Sequence, residues 1–293
     1  IKLFFKILKN LNTKDDLFNL KIDGVWVGIE IYESILRGLT PTVKIKSLTT
    51  KINLFKSLRY YIYFNKLFHE KKIKALFISH DTYITTGIPM KLAFKFKVPV
   101  ILANSREIIQ VEKPHQLYFR FNKYRYYYDS LSNELKEVAT KVSNENIQKR
   151  LDGFLKIDMD YQEKSAFNKN FISRQTIQSN KIKVLIASHC FFDNPHCYGG
   201  MLFTDFYEWL NFLASISKTT HYEWYLKPHR DYLPGNLEIL NSFIPKFKNL
   251  KIINPDTSFH QLKKEGIKNV LTCYGSVGHE LPLLGFNVIN AGY

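Results

Sequence analysis

Lys227-Pro228-His229 and Gly275-Ser276-Val277-Gly278-His279-Glu280 are the residues of this chain best suited to chemistry on an anion. A lysine cation and an imidazole two residues apart can neutralise a mono- or diphosphate and donate to phosphate or sugar oxygens. In the second cluster the small residues Gly275, Ser276, Val277 and Gly278 let a ligand approach the backbone, and Ser276 adds a hydroxyl. Glu280, in the first turn of a helix expected over 280–284, can accept hydrogen bonds from ribose or sugar hydroxyls. Exposed N–H groups at a helix start also suit phosphate. A glutamate there is favoured by the helix macrodipole even without a ligand, so the weight rests on order. Each cluster directly follows an apolar run short enough to be a buried parallel strand, and strand ends are where open α/β sheets bind ligands.

Further candidates stand at other strand ends. Ser188 and His189 follow an apolar run and, with Asp193, are expected near the same ligand. The pairs His189-Cys190 and His196-Cys197 raise a zinc reading, but their spacing fits no common structural zinc pattern, so neither a metal nor a cofactor is expected. In the first half, Ser79-His80-Asp81-Thr82-Tyr83 ends a short apolar run, with Gly87 before the next helix. His80 or Asp81 there is a candidate base for an acceptor hydroxyl, the alternative being a helix N-cap by Asp81. Glu30 and Glu33, after Gly28, are further carboxylates that could face the cleft. Residues 118–128 interleave aromatics with Arg120, Lys123 and Arg125. Such a stretch can stack on sugar rings or bases, but a half-buried helix face with snorkelling cations is the favoured reading.

The elements that must hold these residues alternate. Strands are expected at 75–78, 100–102, 184–187, 224–226, 250–253, 270–273 and 288–290, and helices at 54–69, 90–96, 206–216, 237–247 and 259–265. Alternation of this kind predicts a parallel, doubly wound sheet. The polar stretch 152–180 reads as a linker between an acceptor-side domain over 1–165 and a nucleotide-binding domain over 180–293. Two Rossmann-like α/β domains would then face a cleft.

With 293 residues and 45% hydrophobic content the chain can bury a core of that size. Its apolar runs fall short of the ~20 residues of a membrane span. Its lysine-rich opening is too short and too charged for a signal peptide. Three cysteines make no disulfide framework, in keeping with a reducing, cytoplasmic location. The opening Ile1 and a last strand ending at 290 read as a fragment whose second domain is C-terminally truncated. The charge is uneven. Residues 1–180 carry 31 basic against 17 acidic side chains, and residues 181–293 carry 11 against 9. The +14 half is expected to face an anion, such as a membrane surface or an acidic glycan. No recognisable module supports nucleic acid.

On Lys227-Pro228-His229, the 275–280 turn and Leu284-Gly285-Phe286-Asn287-Val288-Ile289, the chain resembles bacterial capsule and surface polysaccharide transferases of the GT-B type. That group includes capsule Kdo transferases and teichoic acid-type glycerophosphotransferases. The similarity covers the second half well and the first half loosely, through Ser79-His80, Tyr83 and Gly87. Arg230 and Phe286-Asn287 depart from the family pattern and leave the donor open. The resemblance implies transfer of a sugar, or of a polyol phosphate, from a nucleotide-activated donor, CMP- or UDP-linked, to a glycan or lipid-linked acceptor at the inner membrane face. The phosphates would lie between Lys227, His229 and the Ser276 turn, with His80 or Asp81 on the acceptor side and no metal. A sugar-nucleotide epimerase and a non-catalytic glycan- or anion-binding protein are the competing readings.

Overall fold

The computed structural model describes residues 1–104, 108–113, 124–157, 163–197, 199–229 and 233–292. The chain is mixed α/β and divides into two compact units, Ile1–Phe121 with Phe191–Gly200, and Asn122–Cys190 with Met201–Tyr293.

The first unit is mainly helical. Helix α1 (Lys2–Asn10) is followed by α2 (Lys14–Phe18), which opens on a capping box in which Thr13 and Asp16 each hold the other's backbone N–H. A two-residue Asp23-Gly24 turn, left-handed at both positions, joins β1 (Lys21–Ile22) to β2 (Val25–Trp26). Helix α3 (Gly28–Arg37) then runs through the core, burying Ile29, Ile31, Tyr32, Ile35 and Leu36. Its start demands glycine, because a Cβ on Gly28 would sit 2.1 Å from the Leu17 carbonyl oxygen. Helix α4 (Leu48–Glu70) is capped by the Ser47 hydroxyl. Strand β3 (Leu76–Ile78), a π-helical turn (Tyr83–Gly87), α5 (Ile88–Lys95) and β4 (Val100–Ala103) make the expected β-α-β unit, with β3 and β4 parallel. Strand β5 (Ile108–Val111) adds to β4 antiparallel, so the described sheet of this unit is small and mixed.

In the second unit α6 (Tyr124–Ser130) and α7 (Asn133–Leu151) precede an alternating series: β6 (Lys183–Ala187), α8 (Phe206–Thr219), β7 (Glu223–Lys227), α9 (Asn236–Asn241), β8 (Leu250–Ile252), α10 (Phe259–Lys264), β9 (Asn269–Thr272), α11 (Val277–Leu283) and β10 (Asn287–Asn290). The five strands form one parallel sheet in the order β10-β9-β6-β7-β8. Every residue of β6 and β7 is buried, as strands covered on both faces must be. The chain builds outward from β6 in one direction, then crosses back to lay β9 on its other side. The direction of winding therefore reverses between β6 and β9.

Three features differ from the sequence expectation. Residues 163–182 do not behave as a linker. Phe167 enters the core of the second unit, and the Glu265 carboxylate accepts the backbone N–H groups of Gln175 and Thr176 at 3.0 and 2.8 Å. The division between units instead falls after Phe121, and α7 belongs with the parallel sheet. Second, Phe191–Gly200 leaves β6 to become part of the first unit, where the His196 backbone N–H donates to Glu33 at 3.1 Å. Third, Tyr124, Tyr126, Tyr127 and Tyr128 are not half-buried: α6 is short, has no buried residue, and exposes these rings. Residues 118–123, with Arg120 and Lys123, lie outside the described residues.

Candidate functional site

In the second unit the ends of β6, β7 and β9 deliver their polar residues into one cavity of about 130 Å³. This is the point where the winding of the sheet reverses, and crevices at such points are where open α/β sheets take ligands. Ser188, His189, Lys227, His229, Gly275, Ser276, Val277 and Glu280 all line it. Gly278 does not, and a Cβ there would meet only ordinary contacts at 3.7 Å.

Each side chain has a definite place. Ser188 ties β6 to β7, its backbone N–H and its hydroxyl both donating to the Lys227 carbonyl at 3.1 Å. Its hydroxyl is thereby committed to the backbone. His189 stacks on Phe206, ring centroids 4.8 Å apart, with the His229 ring nearly parallel at 6.4 Å. Gly275 allows this arrangement, since a Cβ would come 3.1 Å from the His189 ring. Burial, reinforced by His229 and opposed by a hydrogen bond to the Cys273 backbone, pushes the His189 imidazolium down to about 3. His189 is therefore a neutral hydrogen-bonding ring at physiological pH. Lys227 is buried, donates to the Pro255 carbonyl, and lies 5.6 Å from the centre of the Phe259 ring. His229, two residues on, is exposed.

Glu280 and Ser276 take a role the sequence reading did not assign. Arg150, at the end of α7, pairs through Nε with Glu280 Oε1 and reaches Ser276 Oγ through Nη2 at 3.3 Å, while Ser276 Oγ donates to Glu280 Oε2 at 3.2 Å. Glu280 is thus first the internal counter-ion of Arg150 rather than a carboxylate waiting for sugar hydroxyls. The pair locks the last turn of α7 to the turn after β9. That turn opens α11 at Val277, three residues earlier than expected, and Ser276 makes no side-chain cap. Arg150 lies 130 residues before Glu280 on a charge-rich helix, and no spacing rule could have linked them. Against the single carboxylate of Glu280 the cavity sets Arg150, Lys227 and Lys164, the last bridged to Asp256 at 3.0 Å. With Asp256 counted, three cations stand against two carboxylates at this cavity. About 130 Å³ holds a phosphoryl group or one sugar ring, below the ~300–1,000 Å³ of sites that engulf drug-sized ligands.

No protein-family model matches the chain, and no curated protein is significantly similar to it.

The first unit has its own polar cavity, about 400 Å³, to which Arg37, His80, Asp81, Tyr83, Asn104 and Asp193 contribute. Asp193 is thereby placed in the first unit rather than beside Ser188 and His189. His80 is exposed, and its Nδ1 lies 3.0 Å from the Thr86 hydroxyl. Thr86 has one proton, and it already goes to the Thr82 carbonyl, which can only accept. Nδ1 of His80 must then be the donor, which leaves the lone pair on Nε2 as an available base. Asp81, by contrast, is buried. Tyr83 holds a left-handed backbone at φ 64° in the π-helical turn and meets His80 edge-on at 5.8 Å. A bulky residue in that region is strained, and strain of this kind concentrates at functional sites. Burial, and then the charge of Asp193, raise the Tyr83 phenol well above its ordinary value, so it remains a hydrogen-bond donor.

Glu30 and Glu33 line neither of these cavities. Both are fully buried in α3. Glu30 pairs with Lys91 at 2.5 Å, and Lys91 also sits 4.7 Å over the Trp26 ring. Burial pushes the Glu30 carboxyl up to about 7, although Lys91 pulls it the other way. Glu33 receives His196, whose ring packs 4.8 Å from Phe18 and edge-on to Tyr32 at 5.8 Å. The two His-Cys pairs part company, His189 and Cys190 in the second unit and His196 and Cys197 in the first. Among the described residues no group of three or more His, Cys, Asp or Glu side chains is placed to hold a metal.

Proposed function

We propose that this chain is a glycosyltransferase of the GT-B type that moves a sugar from a nucleotide-activated donor, CMP- or UDP-linked, to a capsule, lipopolysaccharide or other surface glycan. The observation that carries the reading is the convergence of Lys227, His189, His229 and the Arg150-locked Ser276 turn on one cation-rich cavity where the parallel sheet reverses its winding. In this reading the second unit is the Rossmann-like donor half and the first unit the acceptor half. It works at the inner face of a membrane, and among the described residues no helix is long and apolar enough to cross one.

The chemistry follows from the charges. A phosphate oxygen bridging to the sugar gains negative charge as its bond to the anomeric carbon breaks. Lys227 and Arg150 stabilise that charge in a site where water does not compensate it. His189, held neutral with its one N–H given to the Cys273 backbone, packs the site without adding charge, and the exposed His229 is the imidazole that can donate to a phosphate or sugar oxygen. In the first unit the base assigned to an acceptor hydroxyl is His80 Nε2, whose tautomer Thr86 fixes. Tyr83 orients the acceptor by donation. Asp81, buried, lines the same cavity as His80.

The test is a panel of CMP- and UDP-linked sugars scored by protection against thermal unfolding. One member should raise the melting temperature in proportion to its concentration, and Lys227→Met and His229→Ala should remove the shift while keeping the unliganded melting temperature. If no nucleotide or nucleotide sugar protects the chain, the reading fails.

A further inference from the structure

Helix α4 is anomalous for a surface helix. One face carries the core residues Leu54, Leu58, Tyr61 and Phe68, yet the opposite face is also apolar and stands in solvent. Leu48, Ile52, Phe55, Ile62 and Tyr63 recur there at helical spacing, each between 44% and 72% exposed. The solvent face of a surface helix is normally polar, so large apolar side chains recurring there call for a cover. Helix α1 extends the patch, for Phe4 meets Phe55 edge-on at 5.7 Å and Phe5 beside it is 62% exposed.

The rim is of one sign. Lys2, Lys6 and Lys9 on α1 and Lys51, Lys56, Arg59 and Lys66 on α4 face a single acid on these two helices, Glu70, which sits 3.8 Å from Lys66 at the far end. Lys56 and Arg59 share a groove of about 530 Å³ with Tyr60, Tyr63 and Phe64, the mixture of aromatic and cation that suits the boundary between headgroups and acyl chains. Of the seven cations Lys6 also lines a depression with Asp15 and Asp16 of α2, while the other six do not.

We infer that the exposed face of α1 and α4 is a docking surface for an anionic phospholipid bilayer. Phe5, Ile52, Phe55, Ile62 and Tyr63 would enter the interface while the lysines and Arg59 pair with lipid phosphates. The apolar stripe and the basic rim are the two signals that stable peripheral attachment needs. A second copy of this chain does not fit the same face, because seven cations would meet seven cations. Nucleic acid would answer the charge but leave the aliphatic stripe in water. The inference rests on the first unit alone and holds whatever the cavity of the second unit binds.

Vesicle sedimentation of the 293-residue chain tests it. The chain should pellet with vesicles of equal parts phosphatidylglycerol and phosphatidylcholine in about 0.1 M salt, stay in solution with phosphatidylcholine alone, and be released in about 1 M salt. Lys56→Ala with Arg59→Ala should lower the partition constant roughly 25-fold, five-fold for each cation lost near the surface. Phe5→Ser, Ile62→Ser and Tyr63→Ser together should abolish pelleting with an unchanged circular-dichroism melt. No pelleting with the anionic vesicles, equal pelleting with neutral ones, or wild-type binding by both sets of variants would overturn the inference. So would self-association or nucleic-acid binding that depends on these residues in a chain that ignores vesicles.

Discussion

Removing Arg150 should unmask a buried charge. The side chains of Arg150 and Glu280 are 10% and 6% exposed, and Arg150 also reaches Ser276, so Arg150→Met strands the Glu280 carboxylate in a site that water scarcely enters. Breaking a buried pair from one side costs about 3–5 kcal/mol, whereas replacing both partners with apolar groups is often nearly neutral. For a unit of this size that corresponds to a fall in melting temperature of roughly 6–20 °C. Glu280→Leu should cost a comparable amount by stranding the guanidinium. The double variant should be more stable than Arg150→Met alone, giving a coupling energy of about 2 kcal/mol or more. Urea unfolding of the four proteins, with equal m-values as the check on two-state behaviour, measures the cycle. If Arg150→Met costs less than about 1 kcal/mol, or if the two losses add, then Glu280 is solvated and free to bind a ligand, and the internal role assigned to it is wrong.

Two further outcomes follow from the same geometry. His189 binds its proton only near pH 3 in the folded chain but near 6.5 when unfolded, so the unfolded state takes up more protons between those values. Stability should therefore fall as pH drops below 6.5, by up to about 1.4 kcal/mol per pH unit, and His189→Gln should flatten the slope. Glu30, raised to about 7, works in the opposite direction, its contribution being present below about 4.5 and lost as pH rises to 7, so only the difference between variant and wild type isolates His189. If His189→Gln leaves the urea midpoint equally dependent on pH, the ring is not held neutral. Glycine positions give a second contrast. Gly28→Ala forces a Cβ onto a backbone carbonyl at 2.1 Å and should cost about 3 kcal/mol, while Gly278→Ala, with nothing nearer than 3.7 Å, should be neutral or stabilising by about 0.5–1 kcal/mol of helix propensity. Equal urea midpoints for the two variants would contradict this packing.

The second half was largely legible from its residues. Its strands are short apolar runs because a parallel sheet covered on both faces must be built from them, and the polar clusters after β6, β7 and β9 came together because such a sheet points all its carboxyl ends one way. Pairings across long sequence separations were not legible. Nothing in the order of residues tells that Arg150 answers Glu280, or that Phe191–Gly200 leaves its own strand to lay His196 against Glu33. The stretch 152–180 reads as a linker because its polar residues look solvated, yet within it the backbone groups of Ile172, Gln175 and Thr176 are satisfied by Gln261 and Glu265. In the first half the β-α-β unit was visible. The strain at Tyr83 and the tautomer of His80 were not, since both depend on backbone angles and on the single proton of Thr86.

The central claim, that the second unit binds the phosphate of a nucleotide-activated sugar through Lys227, is tested most directly by calorimetric titration of the best nucleotide sugar from the panel. Wild-type chain, Lys227→Met and His80→Ala should be compared at one salt concentration. Loss of a charge-assisted hydrogen bond worth about 1.5–3 kcal/mol should weaken binding by roughly ten-fold or more in Lys227→Met, with His80→Ala unchanged because that residue belongs to the first unit. Wild-type affinity in Lys227→Met, or a loss confined to His80→Ala, would contradict the account.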